Sequence, residues 1–305
     1  MIKSPTLPKG TFRYSPAFEL YKAGVARLRE AGITDSEIEA SILLCHLLQI
    51  SRPELFVYRQ DLSDSLVSSY HELLGRRSTR EPLAYIIGEW EFWSLPFSVS
   101  PDVLIPRPET EVLMEHVLKV FHYKAENHKQ SFRILDMGAG SGVLSIVLAR
   151  ELATALIYSL DIDPGALKVA RQNAVYHNVL ERIFFLNADW LQAIRPEPLF
   201  DLVVANPPYV AGDTFTTLQP EVRDFEPRLA LDGGERGLVE IKRFAPNLAL
   251  ILKPGGYFFM EIGAEQRDEV MAIFSRLESL RDLAVFNDYS GFSRIFKARK
   301  DSTDT

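Results

Sequence analysis

The sequence of 305 residues contains a single cysteine, Cys45. This scarcity excludes a disulfide within the chain and a metal site built on cysteines, and no metal site is expected. No run of about 18 apolar residues is present, so no membrane span and no membrane partner are expected. The first ten residues also lack the apolar stretch of a signal peptide. Together these absences predict a cytoplasmic protein.

An excess of positive charge is missing as well. The chain carries 34 Lys and Arg residues against 41 Asp and Glu residues, a net charge of −7. Proteins that bind bulk nucleic acid need a basic surface, so this balance argues against direct nucleic-acid binding. Residues 1–90 have no net charge, and the rest of the chain carries the whole acidic excess. This shift in composition predicts two parts of different character.

The first part has the pattern of a small all-helical domain, residues 17–80, after a flexible tail, residues 1–16. Within it, the tetrapeptides 34–37 and 51–54 fit capping boxes, in which two side chains satisfy free N–H groups at the start of a helix. Ser63 is placed to cap a further helix. Apolar residues at helical spacing follow each of these signals.

The second part begins after a linker. Residues 81–106 place aromatic and β-branched residues around turn formers, which predicts a β-hairpin. In residues 107–305, apolar strands alternate with helical segments, which predicts an α/β domain with a mostly parallel sheet and helices on both faces. The polar stretch 122–130 is expected to be a loop. Strands are predicted at 132–136, 155–161, 182–189, 200–205, 256–262 and near 282–287 and 292–299, and helices at about 142–153, 165–178, 237–252 and 265–277.

The first chemical signal is a glycine-rich loop between a strand and a helix, Asp-Met-Gly-Ala-Gly-Ser-Gly at 136–142. Glycines let a ligand approach the backbone closely, and the helix N-terminus attracts an anionic group. The G-x-G-x-G spacing is not that of dinucleotide enzymes. The pattern favours ligand binding, with a plain tight turn as the alternative. The candidate ligand contacts are Gly138, Ala139, Gly140, Ser141 and Gly142.

An acidic residue at the end of the next strand is the second signal. Asp161 follows Gly142 by 19 residues, and an acid there suits hydrogen bonds to both ribose hydroxyls of a nucleoside. Asp163 is the nearby competitor, although it precedes Pro164 and could equally cap a helix. The loop and the acid together indicate a nucleoside ligand.

The third signal is the tetrapeptide Asn206-Pro207-Pro208-Tyr209, which follows a predicted strand. Ligands of open α/β sheets bind beyond the carboxyl ends of the strands, so this turn should face the nucleoside. A planar amide or aryl amine is a poor nucleophile because its lone pair is delocalised, and acceptors for both of its N–H groups favour localisation of that pair. The Asn206 oxygen and the Pro207 carbonyl are suitable acceptors, and the Tyr209 ring can pack on a planar substrate. The alternative is a plain Pro-Pro turn.

These three signals resemble the Rossmann-like S-adenosylmethionine methyltransferases that act on amino nitrogens. Within that class the chain resembles the HemK/PrmC family, the release factor glutamine N5-methyltransferases. The resemblance runs from about residue 81 to the C-terminus and is most specific at 106–111, Pro-Arg-Pro-Glu-Thr-Glu. It also includes Glu81-Pro82-Leu83-Ala84-Tyr85, Glu91-Phe92-Trp93 and Phe225-Glu226-Pro227. The helical part matches in layout more than in sequence.

The resemblance implies a reaction and a set of roles. Such enzymes use S-adenosylmethionine to methylate the glutamine side-chain amide in the Gly-Gly-Gln motif of peptide chain release factors. The glycine loop would hold the methionine part of the cofactor, Asp161 the ribose, and Trp190 would lie near the adenine. Asn206, Pro207, Pro208 and Tyr209 would hold the glutamine amide, with Asn206 also touching the cofactor. The helical domain would recognise the protein substrate.

One departure from the family lies in the loop itself. Met137 and Ala139 stand where the family commonly has Leu and Thr. The missing Thr hydroxyl removes one hydrogen bond, but the glycines remain, so cofactor binding is expected to survive.

Other functions are weighed against this one. N6-adenine methylation of DNA or RNA is the main alternative, because an Asn-Pro-Pro-Tyr turn can hold the adenine amino group in the same way. That reaction requires base flipping and a basic groove. No run of Lys or Arg borders residues 206–209. A nucleotide-dependent oxidoreductase is disfavoured by the glycine spacing. A binding protein with a decayed methyltransferase domain is disfavoured because the loop, Asp161 and Asn206 are all intact.

Overall fold

A computed structural model describes residues 15–128 and 131–302. The predicted tail lies mostly outside these residues, and the first helix already begins at Pro16, with Ser15 as its N-cap. The chain divides into two units, Met1–Ile87 and Gly88–Thr305. In the part of the chain described, no helix is long and apolar enough to cross a membrane.

The first unit is helical, as predicted. Its core packs Leu28, Leu43 and Leu74 around the buried ring of Tyr70. The division from the second unit falls after residue 87, later than the predicted end at residue 80, because Ile86 belongs to this core. Its helices are α1 (Pro16–Glu30), α2 (Ser36–Leu48), α3 (Arg52–Val57), α4 (Asp64–Ser78) and α5 (Leu83–Ile87).

The predicted helix starts in this unit are partly correct. The box at Ser51 and Glu54 forms, with the Ser51 N–H donating to the Glu54 carboxylate over 2.7 Å. Ser63 caps α4 by accepting the Leu66 N–H. The predicted box at 34–37 is wrong, because α2 is preceded by Asp35 as N-cap and no side chain accepts a hydrogen bond there.

The second unit begins with a short hairpin and continues as an α/β domain. The hairpin pairs two antiparallel strands, as predicted for the linker. The strands are β1 (Glu89–Phe92), β2 (Leu95–Ser98), β3 (Arg133–Met137), β4 (Leu156–Asp161), β5 (Ile183–Asn187), β6 (Phe200–Ala205), β7 (Leu252–Glu261), β8 (Leu280–Asn287) and β9 (Ser293–Lys300). The helices are α6 (Pro108–His128), α7 (Val143–Glu151), α8 (Pro164–Tyr176), α9 (Pro220–Phe225), α10 (Val239–Ile251) and α11 (Arg267–Phe274).

One element of this unit contradicts the sequence-based prediction. The stretch 122–130 was expected to be a loop, but α6 continues through His128, and residues 129 and 130 lie outside the described residues. The segment is polar, yet it contains neither glycine nor proline, so its composition does not oppose a helix.

Seven strands form one sheet in the order β5-β4-β3-β6-β7-β9-β8. The first five strands of this order are parallel, and β9 lies between β7 and β8 and runs antiparallel to both. This confirms the predicted mostly parallel sheet. The neighbours of β3 are β4 on one side and β6 on the other, so the chain reverses its direction of winding at β3. Ligands of such folds bind at this switch point, outside the carboxyl ends of the strands.

The core lies on both faces of the sheet. Ile134 faces one apolar cluster, which includes Leu113 of α6 and Ile146 of α7. Leu135, the next residue along β3, faces a second cluster that includes Phe244 of α10 and Val270 of α11. Alternate side chains of a strand point to opposite faces, so the short apolar runs in the sequence are buried on both sides.

Candidate active site

The register of the sheet aligns four strand ends. Met137 pairs with Leu160 and with Ala205, and Ala205 pairs with Met260. These four residues form one row across β4, β3, β6 and β7. The residues that follow them in the chain are Asp161, Gly138, Asn206 and Glu261, which therefore emerge at the same edge.

The glycine loop leaves room for a ligand at Gly140. This residue has a φ of +53°, and an added Cβ would meet nothing within 4 Å. The loop runs directly from β3 into α7, so its backbone lies at the N-terminus of that helix. Backbone N–H groups and the helix dipole at such a site favour an anionic group, such as the carboxylate of an amino acid.

Asp161 and Asp163 divide two roles between them. The Asp161 carboxylate accepts the N–H of Gly140 over 2.9 Å and that of Asp163 over 2.9 Å. Asp163 caps α8 by accepting the Gly165 N–H over 2.7 Å. Asp161 therefore holds the glycine loop and still has lone pairs for a ligand, since a carboxylate accepts about four hydrogen bonds. Burial raises the pKa of its carboxyl above the ordinary value.

A second acid lies directly before the loop. Asp136 is fully buried, and one of its oxygens accepts the Ser145 N–H and hydroxyl over 3.1 and 2.6 Å. The other oxygen has no hydrogen-bond partner among the described residues. Burial raises the pKa of this carboxyl to about 7. Sequence reasoning treated Asp136 only as part of the loop motif.

Asn173 on α8 fixes the loop from the other side. Its side-chain oxygen accepts the Ser98 N–H over 2.8 Å, and its amide donates to the carbonyls of Ser98 and Ser141 over 3.0 and 2.9 Å. The residue thus ties the β2 hairpin strand to the glycine loop. Sequence reasoning missed this buried residue, because an asparagine within a helical pattern gives no signal of partners 75 and 32 residues away.

Asn206 belongs to a chain of polar contacts. Its Nδ2 donates to the Thr110 Oγ1 over 3.2 Å, and the Thr110 hydroxyl donates to a Glu261 oxygen over 2.6 Å. The Tyr209 hydroxyl donates to the other Glu261 oxygen over 2.9 Å. The Asn206 Oδ1 accepts no hydrogen bond within the described part of the chain.

Gln266 and Gly237 hold the backbone of the Asn-Pro-Pro-Tyr turn. The Gln266 amide donates to the carbonyls of Tyr209 and Gly237 over 3.1 Å each. Gly237 has a φ of +68°, and an added Cβ would lie 2.0 Å from the Tyr209 carbonyl oxygen. The turn is therefore held in one conformation by a close backbone approach that only glycine permits.

Trp190 is held by charged side chains at another wall of the site. Its indole N–H donates to Glu240 over 2.6 Å, and its ring packs 5.1 Å from the ring of Phe244. Arg243 bridges Glu240 and Asp189 over 2.5 and 2.6 Å. These α10 residues gave no signal in the sequence, because they are distant in the chain from Trp190.

An ion pair lies beside the site, near the start of α6. Arg107 donates to Glu226 over 2.5 Å, and the other Glu226 oxygen accepts the Ile105 N–H over 3.2 Å. The Glu226 side chain is 1% exposed. The two segments that carried the resemblance around residues 106–111 and 225–227 are thus bound to each other.

Most of the predicted residues meet in one pocket. It contains about 1150 Å³ of empty space, its open mouth included. Its lining includes Gly138, Ala139, Gly140, Ser141, Asp161, Trp190, Asn206 and Pro208. Gly142, Pro207 and Tyr209 do not line it. The Tyr209 hydroxyl is bound to Glu261.

The residues present fit S-adenosylmethionine. The loop is open at Gly140 and lies at the N-terminus of α7, whose dipole favours a carboxylate, and Asp161 offers acceptors for ribose hydroxyls. Trp190 gives an aromatic wall for a base. The acids that line the pocket, among them Asp161 and Glu240, suit a ligand that carries positive charge.

Comparison with known proteins finds families and structures that this chain resembles. Sequence models of two families match the chain, one described as PrmC N-terminal domain at residues 19–88 and one as methyltransferase small domain at residues 109–239. The solved structure of the hMettl16 catalytic domain has a TM-score of 0.54 at 13% identity and covers 79% of this chain and 83% of its own. A methyltransferase from Pyrococcus furiosus has a TM-score of 0.50 at 14% identity, over 69% of this chain and 91% of its own.

The fold and the methyltransferase domain define a Rossmann-like methyltransferase. Two curated relatives are both named release factor glutamine methyltransferase. That of Caulobacter vibrioides is 38% identical over 277 residues, 90% of this chain and 93% of the relative. That of Koribacter versatilis is 38% identical over 283 residues, 92% of this chain and 98% of the relative. The chain belongs to the release factor glutamine methyltransferase family, as its sequence motifs predicted.

We expect Asn173→Ala to destabilise the second unit by about 2–4 kcal/mol, because it leaves the buried Ser141 carbonyl and the partly buried backbone groups of Ser98 without their partner. All three tryptophans lie in this unit, so urea unfolding followed by tryptophan fluorescence measures the change. The exposed neighbour Gln172→Ala is the control and should shift the free energy of unfolding by less than about 0.5 kcal/mol. Equal effects of the two substitutions would contradict this role of Asn173.

We expect Asp161→Asn to weaken S-adenosylmethionine binding about tenfold, since an amide nitrogen cannot accept a hydrogen bond from ribose. In the wild type, the ionised carboxylate is the binding form, so affinity should fall as the pH is lowered through the raised pKa of Asp161. Calorimetric titration with S-adenosylhomocysteine over acidic to neutral pH measures both effects. The same acidic loss in the variant would assign the pH dependence to another group.

Proposed function

We propose that this protein uses S-adenosylmethionine to methylate the side-chain amide nitrogen, N5, of the glutamine in the Gly-Gly-Gln motif of a peptide chain release factor. One observation carries the proposal. The Asn206 amide lines the same pocket as the glycine loop, and its oxygen is left without a partner among the described residues. An added Cβ at Gly138 would lie 3.8 Å from the Asn206 backbone oxygen, so loop and turn are in close proximity.

In this proposal the side chains around the pocket bind the cofactor. The loop from Gly138 to Gly142 holds its amino-acid part, Asp161 accepts hydrogen bonds from the ribose, and Trp190 lies against the adenine. The cofactor supplies an electrophilic methyl group on a positively charged sulfur. The protein needs only to hold the two reactants in line, which provides a large part of the rate acceleration in such reactions.

Asn206 and Pro207 activate the substrate amide. The Asn206 Oδ1 and the Pro207 carbonyl accept one N–H each, which turns the nitrogen towards the methyl group and favours localisation of its lone pair. As positive charge develops on the nitrogen, the same two acceptors stabilise it electrostatically. No strong general base is required, because the methylated nitrogen is cationic and acidic and releases its proton after transfer.

The charge of the catalytic part of the chain supports glutamine over adenine as the target. Residues 91–305 carry the whole acidic excess of the chain, which opposes the approach of a polyanion. Peptide chain release factors work where translation occurs, so the proposed site of action is the cytoplasm.

A methyl-transfer assay with three acceptors tests the substrate. The acceptors are a purified release factor, the same factor with the glutamine of its Gly-Gly-Gln motif replaced by alanine, and single-stranded DNA. We expect mass spectrometry to find one methyl group on the first acceptor and none on the other two. Methylated adenine in the DNA arm would replace this proposal with the nucleic-acid alternative.

We expect Asn206→Ala to lower kcat about 100-fold or more, since it removes an acceptor at the reacting nitrogen, while cofactor affinity stays within about threefold. Initial rates and calorimetric titration separate the two quantities. Asn247→Ala, an exposed change on α10, is the matched control and should retain wild-type turnover. Normal turnover of the Asn206 variant would remove the assigned role.

We further propose that the helical unit, which was predicted as residues 17–80, recognises the release factor. Phe56 and Val57 in α3 are 52% and 68% exposed, which is typical of residues that contact a partner. We expect Val57→Asp to raise the KM for the whole release factor and to leave the rate on a short Gly-Gly-Gln peptide unchanged. Val175→Asp, a comparably exposed valine in the second unit, is the control. An unchanged KM in Val57→Asp would show that this part of α3 does not contact the release factor.

A further inference from the structure

Three polar side chains from distant parts of the chain meet beside the Asn-Pro-Pro-Tyr turn. Glu261 ends β7 and is fully buried, and Thr110 lies in the first turn of α6 with 2% of its surface exposed. The pairing of Ala205 with Met260 brings Glu261 level with Asn206. Neither Thr110 nor Glu261 has a role in the chemistry described above.

The directions of the hydrogen bonds in this cluster are linked. Two hydroxyls, those of Thr110 and Tyr209, contact different oxygens of Glu261 over 2.6 and 2.9 Å. An ionised carboxylate can only accept, so both hydroxyls donate to it. The Thr110 oxygen is then left as an acceptor.

This linkage fixes the orientation of the Asn206 amide. The two ends of an asparagine amide differ only in whether they donate or accept, and the hydrogen-bond network decides between them. The group 3.2 Å from the Thr110 oxygen must be the Asn206 Nδ2, because that oxygen has already given its proton to Glu261. The Asn206 Oδ1 is therefore the end that remains for the substrate.

We propose that Glu261, acting through Thr110, is a positioning residue that keeps the Asn206 Oδ1 turned towards the substrate amide. The proposal rests on the proposed function, in which that oxygen accepts an N–H of the target nitrogen. The relay has a second effect. Hydrogen bonds in a chain polarise one another, so the negative charge of Glu261 makes the Asn206 oxygen a stronger acceptor.

The relay requires the ionised form of Glu261. Burial, the largest effect, and the nearby Glu109 raise the pKa of its carboxyl, whereas the two hydroxyl donors and Arg294 oppose that rise. A buried acid of this kind is stable only when its oxygens are satisfied, and each oxygen of Glu261 accepts one hydroxyl. Removal of either the acid or the Thr110 hydroxyl would free the Asn206 amide to rotate and present its NH₂ group instead.

Three variants of the full-length protein test this relay. Thr110→Val and Glu261→Gln keep the volume of the side chain and break the relay, whereas Thr110→Ser keeps the hydroxyl. We expect the first two to lower kcat on the whole release factor at least about tenfold, with the KM and the affinity for S-adenosylhomocysteine within about threefold of wild type. Thr110→Ser should turn over within about threefold of wild type. A purely structural role would lower the melting temperature and affect Thr110→Ser and Thr110→Val alike.

A second measurement needs no acceptor and reads the wild-type protein directly. Nitrogen-15 labelling of asparagine gives an NMR signal for the Asn206 side-chain amide, which is assigned by its loss in Asn206→Ala. In the wild type we expect one Nδ2 proton to resonate downfield of a solvated amide, because it donates to Thr110. A signal at the solvated position would overturn the relay, and so would wild-type kcat in Thr110→Val. Failure of the release factor to be methylated would overturn the proposed function instead and leave this signal unchanged.

Discussion

The parallel alignment of β3, β4, β6 and β7 is the constraint on which the site depends. One row of paired residues crosses these strands, and the next residues in the chain are Gly138, Asp161, Asn206 and Glu261. A shift of one residue in any pairing would turn the side chains of that strand to the opposite face of the sheet. The apolar side chains in these strands are buried on both faces, so the core itself opposes such a shift.

Buried and half-buried carboxyls lie around this edge of the sheet, and they differ in their partners. Glu226 binds Arg107 and a backbone N–H, Asp161 binds two backbone N–H groups, and Glu261 binds two hydroxyls. Burial raises the pKa of all three. Asp136 differs because one oxygen has no partner among the described residues. Such desolvated acids are costly to the fold, and the hydrogen bonds of the first three offset part of that cost.

Short sequence patterns correctly predicted the structural elements that depend only on residues close together in the chain. The box at Ser51 and the cap at Ser63 formed, since each needs only residues three positions apart. The strands were found because short apolar runs are needed wherever a sheet is covered on both faces. The same reasoning was wrong at 122–128, where polarity suggested a loop although the stretch contains neither glycine nor proline. It also misplaced the helix start near residue 34, because capping chemistry alone does not choose between adjacent candidates.

The sequence by itself determined the fold class, the family, the glycine loop and the turn at Asn206. It also identified Asp161 and Asp163 as the two candidate acids near the end of β4. These are contiguous motifs, and their chemistry can be read from residue types and short spacings. Only the tertiary structure decided the partners of those motifs. It joined Asn173 to Ser141, Glu226 to Arg107, and Thr110 to both Asn206 and Glu261. It also placed the Tyr209 hydroxyl on Glu261. Such contacts join residues separated by 32 to 151 positions, and they exist only once strand order and register have brought those segments together.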